Sequence, residues 1–300
     1  MSSIVFNRRF TVCYGQPEEV AAGVRRIVAN NPKDYTFTGT NTYIVGDRDV
    51  VIIDPGPRLA DHIDAIARAI AGRTVRAILV THSHEDHSPA SADLRAITGA
   101  PVLGHSMLDP VLAAATDEDV DPDFVPDRTL EDGDVIAGSD FALKVVHTPG
   151  HFPNHLCYSL EGRDVLFSGD HVMGWATTVI APPLGDLGDY LASLDMLLTR
   201  PDRLYLPSHG PSIEQPARYV RSLIGHRRER EAQIVACLKD GVVTAPEIVD
   251  RLYEGLTPRL YQAAVSTVRA HLIHLSRRGL LPGTVPAGEV ALGRPAVAAE

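Results

Sequence analysis

The chain has 300 residues, is 44% hydrophobic and 22% charged, and carries a formal net charge of −10. No stretch approaches the ~20 continuous apolar residues of a membrane helix, and the N-terminus lacks the apolar stretch and cleavage site of a secretory signal. The three cysteines are far apart and form no CxxC pair, which argues against a disulfide framework and a cysteine-based zinc site. We therefore expect a globular, cytoplasmic protein.

Short β-rich runs alternate with helical runs over the first 210 residues. Residues 42–45 and 50–53 flank a polar four-residue loop, which predicts a hairpin. The further predicted elements are helices over residues 59–71 and 187–198 and strands over 77–80, 141–146, 156–160, 165–167 and 204–206. Strands with interleaved helices are typical of a layered domain. The acidic, proline-containing residues 117–134 predict an exposed, solvated loop.

The last 90 residues differ in charge and in pattern. Residues 1–210 carry 16 Lys/Arg against 29 Asp/Glu, and residues 211–300 carry 12 against 9, so the net charge changes from −13 to +3. The predicted helices cover residues 214–238, 244–253, where Thr244 and Glu247 form a capping box, and 257–278 before Gly279. Residues 280–283 and 285–292 predict a small β-wing. This outline is that of a winged helix, and we expect two domains, 1–213 and 214–300.

Four candidate metal ligands lie within six residues, directly after the apolar run at 77–80. In an extended chain His82, His84 and Asp86 point to one side, and His87 lies where a helix would begin. Imidazole and carboxylate groups without thiolate suit Zn²⁺, Fe or Mn. The four candidate ligands of this segment cannot complete the coordination of two metal ions, so further ligands must come from other segments. The other candidates are His151, Asp170 and His209, each of which follows an apolar run and is flanked by Gly or Pro.

These motifs, HxHxDH, TPGH, SGD and a late histidine, resemble those of the metallo-β-lactamase superfamily over roughly residues 20–215. The resemblance implies an α+β four-layer αββα sandwich with metals at one sheet edge, followed here by the all-α/winged-helix domain. It implies that one metal ion is held by His82, His84 and His151, the other by Asp86, His87 and His209, with Asp170 bridging them. Asp54 resembles the aspartate that braces the metal loop. Residues 171–178, residues 207–211 and the tail resemble the β-lactamase-like protein 2 branch.

A hydroxide shared by two metal ions, most simply Zn²⁺, with Fe or Mn as alternatives, would attack an ester-type bond at neutral pH. The candidate catalytic residues are Asp86, His155 and His171. For His155 and His171, a packing or ligand-supporting role is an equal alternative. The substrate stays open between a phosphodiester of single-stranded RNA, which the resemblance favours, a thioester, and a lactone or lactam. Core packing is expected for Trp175, with stacking on a base or forming a wall of the pocket as its alternatives.

Several related and rival functions can be weighed from spacing. Only 39 positions separate Asp170 from His209, which leaves no room for the inserted domain of β-CASP nucleases. His84 stands where flavodiiron proteins carry Glu, and the tail differs from the thioester-binding domain of glyoxalase II.

A mononuclear iron dioxygenase remains an alternative. So does a nucleic-acid-binding regulator with a vestigial metal site, because Arg259, Arg269, Arg277 and Arg278 flank the apolar stripe of the last helix. A packing role is favoured for this tail, and a dimer is compatible with it.

Overall fold

Two mixed β-sheets form the first two thirds of the chain in the computed structural model, which describes residues 4–116 and 118–291. The first sheet has the order β1 (Glu18–Ala21), β2 (Val24–Val28), β3 (Asn41–Val45), β4 (Asp49–Ile53), β5 (Thr74–Leu79), β6 (Val102–Gly104) and β7 (Arg128–Thr129). The second has the order β12 (Leu204–Pro207), β11 (Val165–Gly169), β10 (Leu156–Leu160), β9 (Ala142–His147) and β8 (Val135–Ala137). The predicted hairpin is confirmed as the antiparallel pair β3–β4.

Seven α-helices accompany these strands in the described part of the chain. They are α1 (Ala60–Ala69), α2 (Ala90–Thr98), α3 (Pro110–Ala114), α4 (Leu187–Leu197), α5 (Pro216–Lys239), α6 (Ala245–Leu252) and α7 (Pro258–Arg277). The helices predicted near residues 59, 187, 214, 244 and 257 are confirmed within a few residues, and the capping box at Thr244 is formed. None of these described helices is long and apolar enough to cross a membrane.

The layers follow from which strand faces are apolar. One core lies between the sheets and contains Tyr43, Leu79, Tyr158 and Phe167 among its buried side chains. A second core packs α1 and α2 on the outer face of the first sheet, and a third packs α4 and α5 on the outer face of the second. The result is the predicted four-layer αββα sandwich, because each sheet has to bury both of its faces.

Sheet topology brings the loops with polar side chains to one edge. Strands β4, β5, β6 and β7 run parallel, and so do β11 and β12. The carboxyl ends of neighbouring parallel strands meet at the same edge of a sheet. Asp54 follows β4, Thr81 follows β5 by one residue, and Asp170 and His209 follow β11 and β12. This edge therefore collects the candidate ligands.

The C-terminal helices bury a core of their own, in which the end of α5 packs with α6 and α7. The predicted β-wing is wrong for the described residues 280–291. A turn and a 3-10 helix (Ala287–Glu289) stand in its place, and Leu292 lies outside the described residues. Pro282 and Pro286 lack backbone N–H donors, which disfavours a ladder. The Glu289 carboxylate instead accepts from the Ala245 N–H and pairs with Arg269.

The acidic segment at 117–134 was predicted to be an exposed, solvated loop. In the structure, parts of it also pair with other segments of the chain. Residues 118–121 run along the loop that follows β5: the Glu85 N–H donates to the Asp119 carbonyl at 2.8 Å, and the Asp121 N–H donates to the Ser83 carbonyl at 2.9 Å. Arg128 and Thr129 add β7 to the first sheet. The segment pairs with its neighbours because their backbone groups would otherwise lack partners. Asp117 lies outside the described residues.

A close approach at Gly150 gives a prediction for folding stability. A Cβ at this position would lie 2.3 Å from the Tyr190 Cα, and the φ of Gly150 is +137°. We expect Gly150→Ala to lower the free energy of unfolding by about 3 kcal/mol through overlap and backbone strain. Gly72→Ala, with φ +76° and open space at its Cβ, should cost only about 1 kcal/mol. Urea unfolding of both variants measures the difference, and equal losses would contradict this account.

Candidate metal centre

The candidate ligand side chains converge at the sheet edge in three overlapping groups. His82, His84 and His151 form one group and Asp86, His87 and His209 form another, each with one ligand atom per residue within 4.8 Å of the others. The third group, His82, His87 and Asp170, shares members with both. All seven sequence-predicted ligand residues therefore lie in one cluster. The arrangement provides two neighbouring sets of nitrogen and oxygen donors.

Asp170 lies between the two sets. Its Oδ2 is 3.4 Å from the His209 Nε2, 3.6 Å from the His87 Nε2 and 4.0 Å from the His151 Nε2. Asp86 lies on one side only, with its Oδ2 3.1 Å from the His209 Nε2 and 3.4 Å from the His87 Nε2. A carboxylate with two oxygens at the position of Asp170 can serve both sets.

Asp54 holds three separate segments of the centre together, as expected of a bracing residue. Its buried carboxylate accepts hydrogen bonds from the Thr81 N–H and Oγ1, both at 2.8 Å, and from the Ser208 Oγ at 2.7 Å. The His87 Nδ1 lies 2.9 Å from the same carboxylate, which leaves its Nε2 for a ligand. Asp54 has a left-handed φ of 50°, an uncommon backbone conformation for a residue with a side chain.

Two backbone contacts orient the histidines from the other loops. The His151 Nδ1 donates to the Val179 carbonyl at 2.8 Å, and the His209 Nδ1 donates to the Gly39 carbonyl at 3.2 Å. In both rings the Nε2 then faces the cluster. The segment with Val179 is held by the buried Arg227 of α5, which donates to the Thr178 carbonyl, while the Thr178 Oγ1 donates to the Asp170 carbonyl at 2.7 Å.

His155 lies behind Asp170 and is fully buried. Its Nε2 accepts the Asp170 N–H at 3.1 Å, and its Nδ1 donates to the Thr148 Oγ1 at 2.8 Å. Burial holds the pKa of His155 well below its ordinary value, so the neutral ring has one accepting and one donating nitrogen. These contacts fit a residue that positions Asp170, and they place His155 out of reach of solvent.

His171 is also fully buried, and its ring packs on Tyr190 with the centroids 4.7 Å apart. Neither ring nitrogen has a hydrogen-bond partner among the described residues. Burial lowers the pKa of His171 to about 3. His171 is therefore a buried, neutral ring next to Tyr190.

The donor set fits divalent metal ions. Among the described residues, the His87 Nε2, the His151 Nε2 and the Asp170 Oδ1 are buried without a hydrogen-bond partner, which is costly unless another group binds them. Burial alone would raise the pKa of Asp170, but the His209 and His87 rings hold it well below its ordinary value. The pKa of Asp86 is held low in the same way, so both carboxylates are in the ionised form that binds metal.

Glu118 is a residue at this site that the sequence analysis missed. Its Oε1 lies 3.6 Å from the His84 Nε2, and the backbone of Val120 bridges to that of His84. The acidic composition of residues 117–134 indicated only solvent exposure. A long-range pairing of this kind leaves no periodic signal in the sequence.

The arginines of the last helix have partners within the chain. Each of the four that could face a nucleic acid meets an acidic side chain. The pairs are Arg259–Asp119 at 2.9 Å, Arg269–Glu289 at 3.3 Å, Arg278–Glu231 at 3.0 Å and Arg277–Asp186. Two of these pairs, at Asp119 and Asp186, join α7 to the sandwich.

Comparisons with known proteins agree with this geometry. Residues 35–209 match the family described as the metallo-beta-lactamase superfamily, and residues 244–281 match the beta-lactamase associated winged helix domain. A beta-lactamase-like protein 2 homolog of Caenorhabditis elegans is 29% identical over 88% of this chain and 88% of its own. An atrochrysone carboxyl ACP thioesterase of Aspergillus chevalieri is 31% identical over 80% of this chain and 76% of its own.

A solved structure is similar over nearly the whole length. The crystal structure of a beta-lactamase domain protein from Burkholderia ambifaria has a TM-score of 0.74 and 25% sequence identity, and the match covers 91% of this chain and 92% of that one. The similarity includes the C-terminal helices, because the sandwich alone would account for a smaller share of the chain.

Removal of the Asp54 carboxylate should weaken metal binding. Asp54→Asn keeps the shape but cannot accept from all of its donors, so we expect the affinity for Zn²⁺ to fall about 10- to 100-fold. Competition with a chelating dye measures this affinity. Asp202→Asn serves as the control, because Asp202 is a buried aspartate paired with Arg200 away from the ligands. An unchanged affinity in Asp54→Asn would contradict the bracing role.

The two buried histidines behind the cluster should respond differently to the same substitution. His155→Phe removes the acceptor of the Asp170 N–H, and we expect about a tenfold loss of Zn²⁺ affinity. His171→Phe removes no hydrogen bond made within the described residues, and we expect less than a threefold change. The same dye competition tests both. A larger effect in His171→Phe than in His155→Phe would overturn the assignment of roles.

Proposed function

The chain belongs to the metallo-beta-lactamase superfamily of hydrolases, and we propose that it hydrolyses a carboxylic thioester of a small molecule at a centre of two divalent metal ions. The proposal is carried by one observation, the convergence of seven histidine and aspartate side chains from four loops on one sheet edge. If residues 82–87 formed only a histidine-rich surface turn, the positions of His151, Asp170 and His209 beside it would be unexplained.

We assign each ligand by the group it lies in. One ion would be held by His82, His84 and His151, and the other ion would be held by Asp86, His87 and His209. Asp170 would contribute to both. Zn²⁺ is the proposed metal, because histidine-rich sets without thiolate favour it, with Fe or Mn as alternatives that metal analysis can distinguish. When bound, the two ions supply a water of lowered pKa and polarise the carbonyl that it attacks.

The residues of the chain hold the candidate ligands in place. Asp54, His155 and the Val179 carbonyl fix ligand side chains before substrate arrives, and such pre-organisation lowers the cost of reaching the transition state. Asp86 is the proposed catalytic residue that substrate can approach, since 26% of its side chain is exposed while the other carboxylate, Asp170, is 10% exposed. His155 and His171 are proposed as positioning and packing residues in place of catalytic ones.

Three observations favour a thioester over a phosphodiester. The relative named as an acyl-carrier-protein thioesterase matches 80% of this chain. Residues 1–210, which contain the centre, carry a net charge of −13, and this disfavours attraction of a polyanion. The three arginines of α7 and Arg278, which directly follows it, are paired with acidic groups. Action on single-stranded RNA and a cytoplasmic location stay predictions.

We propose that residues 1–213 form the catalytic domain and residues 214–300 a linker helix with the winged-helix domain. The boundary is supported by the separate apolar core of α6, α7 and the end of α5. It is not a boundary of function, because Arg227, Arg259 and Arg277 from the second part contact loops of the first.

Chelation and one substitution test the proposed activity. Protein of measured metal content should hydrolyse one class in a panel of thioester, lactone, nitrocefin, bis-phosphodiester and short RNA, and we expect the thioester. Treatment with a chelator should abolish turnover and added Zn²⁺ should restore it, because the attacking water depends on the metal. Asp86→Ala should lower kcat at least 100-fold.

Asp64→Ala, an exposed aspartate on α1, is the matched control and should retain full activity. Turnover that survives in Asp86→Ala or in chelator would contradict the proposal. Turnover of RNA alone would replace the thioester with a phosphodiester as substrate.

A further inference from the structure

Two stacked aromatic rings lie beside the metal centre and have no part in holding it. The rings of Phe37 and Trp175 are 4.9 Å apart between centroids and nearly parallel, with an interplanar angle of 9°. Both side chains are only partly buried. Partly exposed aromatic pairs offer a large apolar area next to water, which is the usual property of a binding surface.

Each ring is tied to the segment that carries His209. The Gly39 carbonyl, two residues after Phe37, accepts from the His209 Nδ1 at 3.2 Å. Trp175 packs on Gly210, where a Cβ would lie 2.8 Å from the Trp175 Cδ1. The aromatic pair therefore lies directly beside the segment that carries one of the candidate ligand residues.

The backbone holds Phe37 in a conformation that its side chain does not favour. Its φ is +55°, in the left-handed region, and the turn around it is closed by hydrogen bonds from the Phe37 N–H to the Lys33 carbonyl and from the Gly39 N–H to the Thr36 carbonyl. Such a conformation costs free energy, and it persists where the surroundings fix it, commonly at ligand sites. Core packing alone would not require it, because the ring is partly exposed.

The C-terminal domain supports the same turn. The Tyr35 hydroxyl donates to the Arg259 carbonyl at 2.9 Å, and the Arg259 guanidinium lies 4.6 Å from the centre of the Tyr35 ring. The Thr257 hydroxyl contacts Asp34. Contacts from both domains thus fix the turn that carries Phe37, as expected of a surface that has to be rigid to select a ligand.

We propose that Phe37 and Trp175 form an acyl-binding wall that selects thioesters with a flat, aromatic acyl group. This rests on the proposed function, since the acyl carbonyl must lie at the metal centre for the group to reach the wall. Stacking and burial of a planar ring against such a pair contribute about tenfold in affinity.

Trp175 is the single tryptophan of the chain, so its fluorescence reports directly on this wall. The metal-loaded protein is titrated with the benzyl and ethyl thioethers of N-acetylcysteamine, which lack the thioester carbonyl and therefore cannot be hydrolysed as thioesters. We expect the benzyl compound to change Trp175 emission with a Kd about tenfold lower than that of the ethyl compound. Equal dissociation constants would overturn the wall.

Kinetics give a second readout. Phe37→Asn removes the ring, and asparagine tolerates the left-handed backbone, so the turn should be retained. We expect the ratio of kcat/KM for the benzoyl thioester to that for the acetyl thioester to fall about tenfold, mainly through KM, in Phe37→Asn and in Trp175→Leu. Tyr14→Leu removes an exposed ring from another segment and should keep the wild-type ratio.

The outcomes separate this inference from the proposed function. Benzyl thioether binding that Phe37→Asn weakens, without turnover of any thioester, supports the wall and refutes the thioesterase. Turnover of both thioesters with an unchanged ratio in Phe37→Asn refutes the wall alone. If short RNA is the only substrate and Phe37→Asn raises its KM, the rings stack on bases and the acyl assignment is overturned.

Discussion

One buried carboxylate joins the segments that carry the candidate metal ligands. Asp54 accepts hydrogen bonds from the segment after β5 and from the segment after β12, and it also orients His87. Three parts of the chain, separated by up to 154 positions, are thereby fixed relative to one another. Burial of a charged carboxylate is costly unless hydrogen-bond donors surround it. The loops therefore stabilise the Asp54 carboxylate, and the carboxylate in turn fixes the loops.

The C-terminal domain contributes to the catalytic edge instead of merely following it. Arg227 of α5 holds the segment that carries Thr178 and Val179, and that segment in turn orients His151 and Asp170. Arg259 and Arg277 of α7 join loops at Asp119 and Asp186. These ion pairs join the C-terminal helices to the sandwich.

The sequence predicted what local patterns encode and missed what long-range pairing decides. His82, Asp170 and His209 each follow an apolar run, and this pattern predicted that they lie at strand ends. The carboxyl ends of parallel strands meet at one edge of a sheet, so the residues were expected to lie close together. Strand β2 escaped detection because Arg25 and Arg26 interrupt it, although Arg26 is buried, paired with Glu18 and packed over the ring of Phe10. Glu118 and the turn around Phe37 have no periodicity at all. The β-wing failed because two prolines lie in the segment, and no apolar alternation can restore their missing donors.

The support of the Phe37 turn by Arg259 has a consequence for how such a protein can diversify. Tyr35 and Arg259, more than 200 positions apart in the chain, meet beside this turn, so laboratory evolution restricted to the ligand loops would leave this contact unchanged. Exchange of the C-terminal helices between relatives would alter the support of the proposed aromatic wall. Such a chimaera would leave the seven candidate ligand side chains as they are.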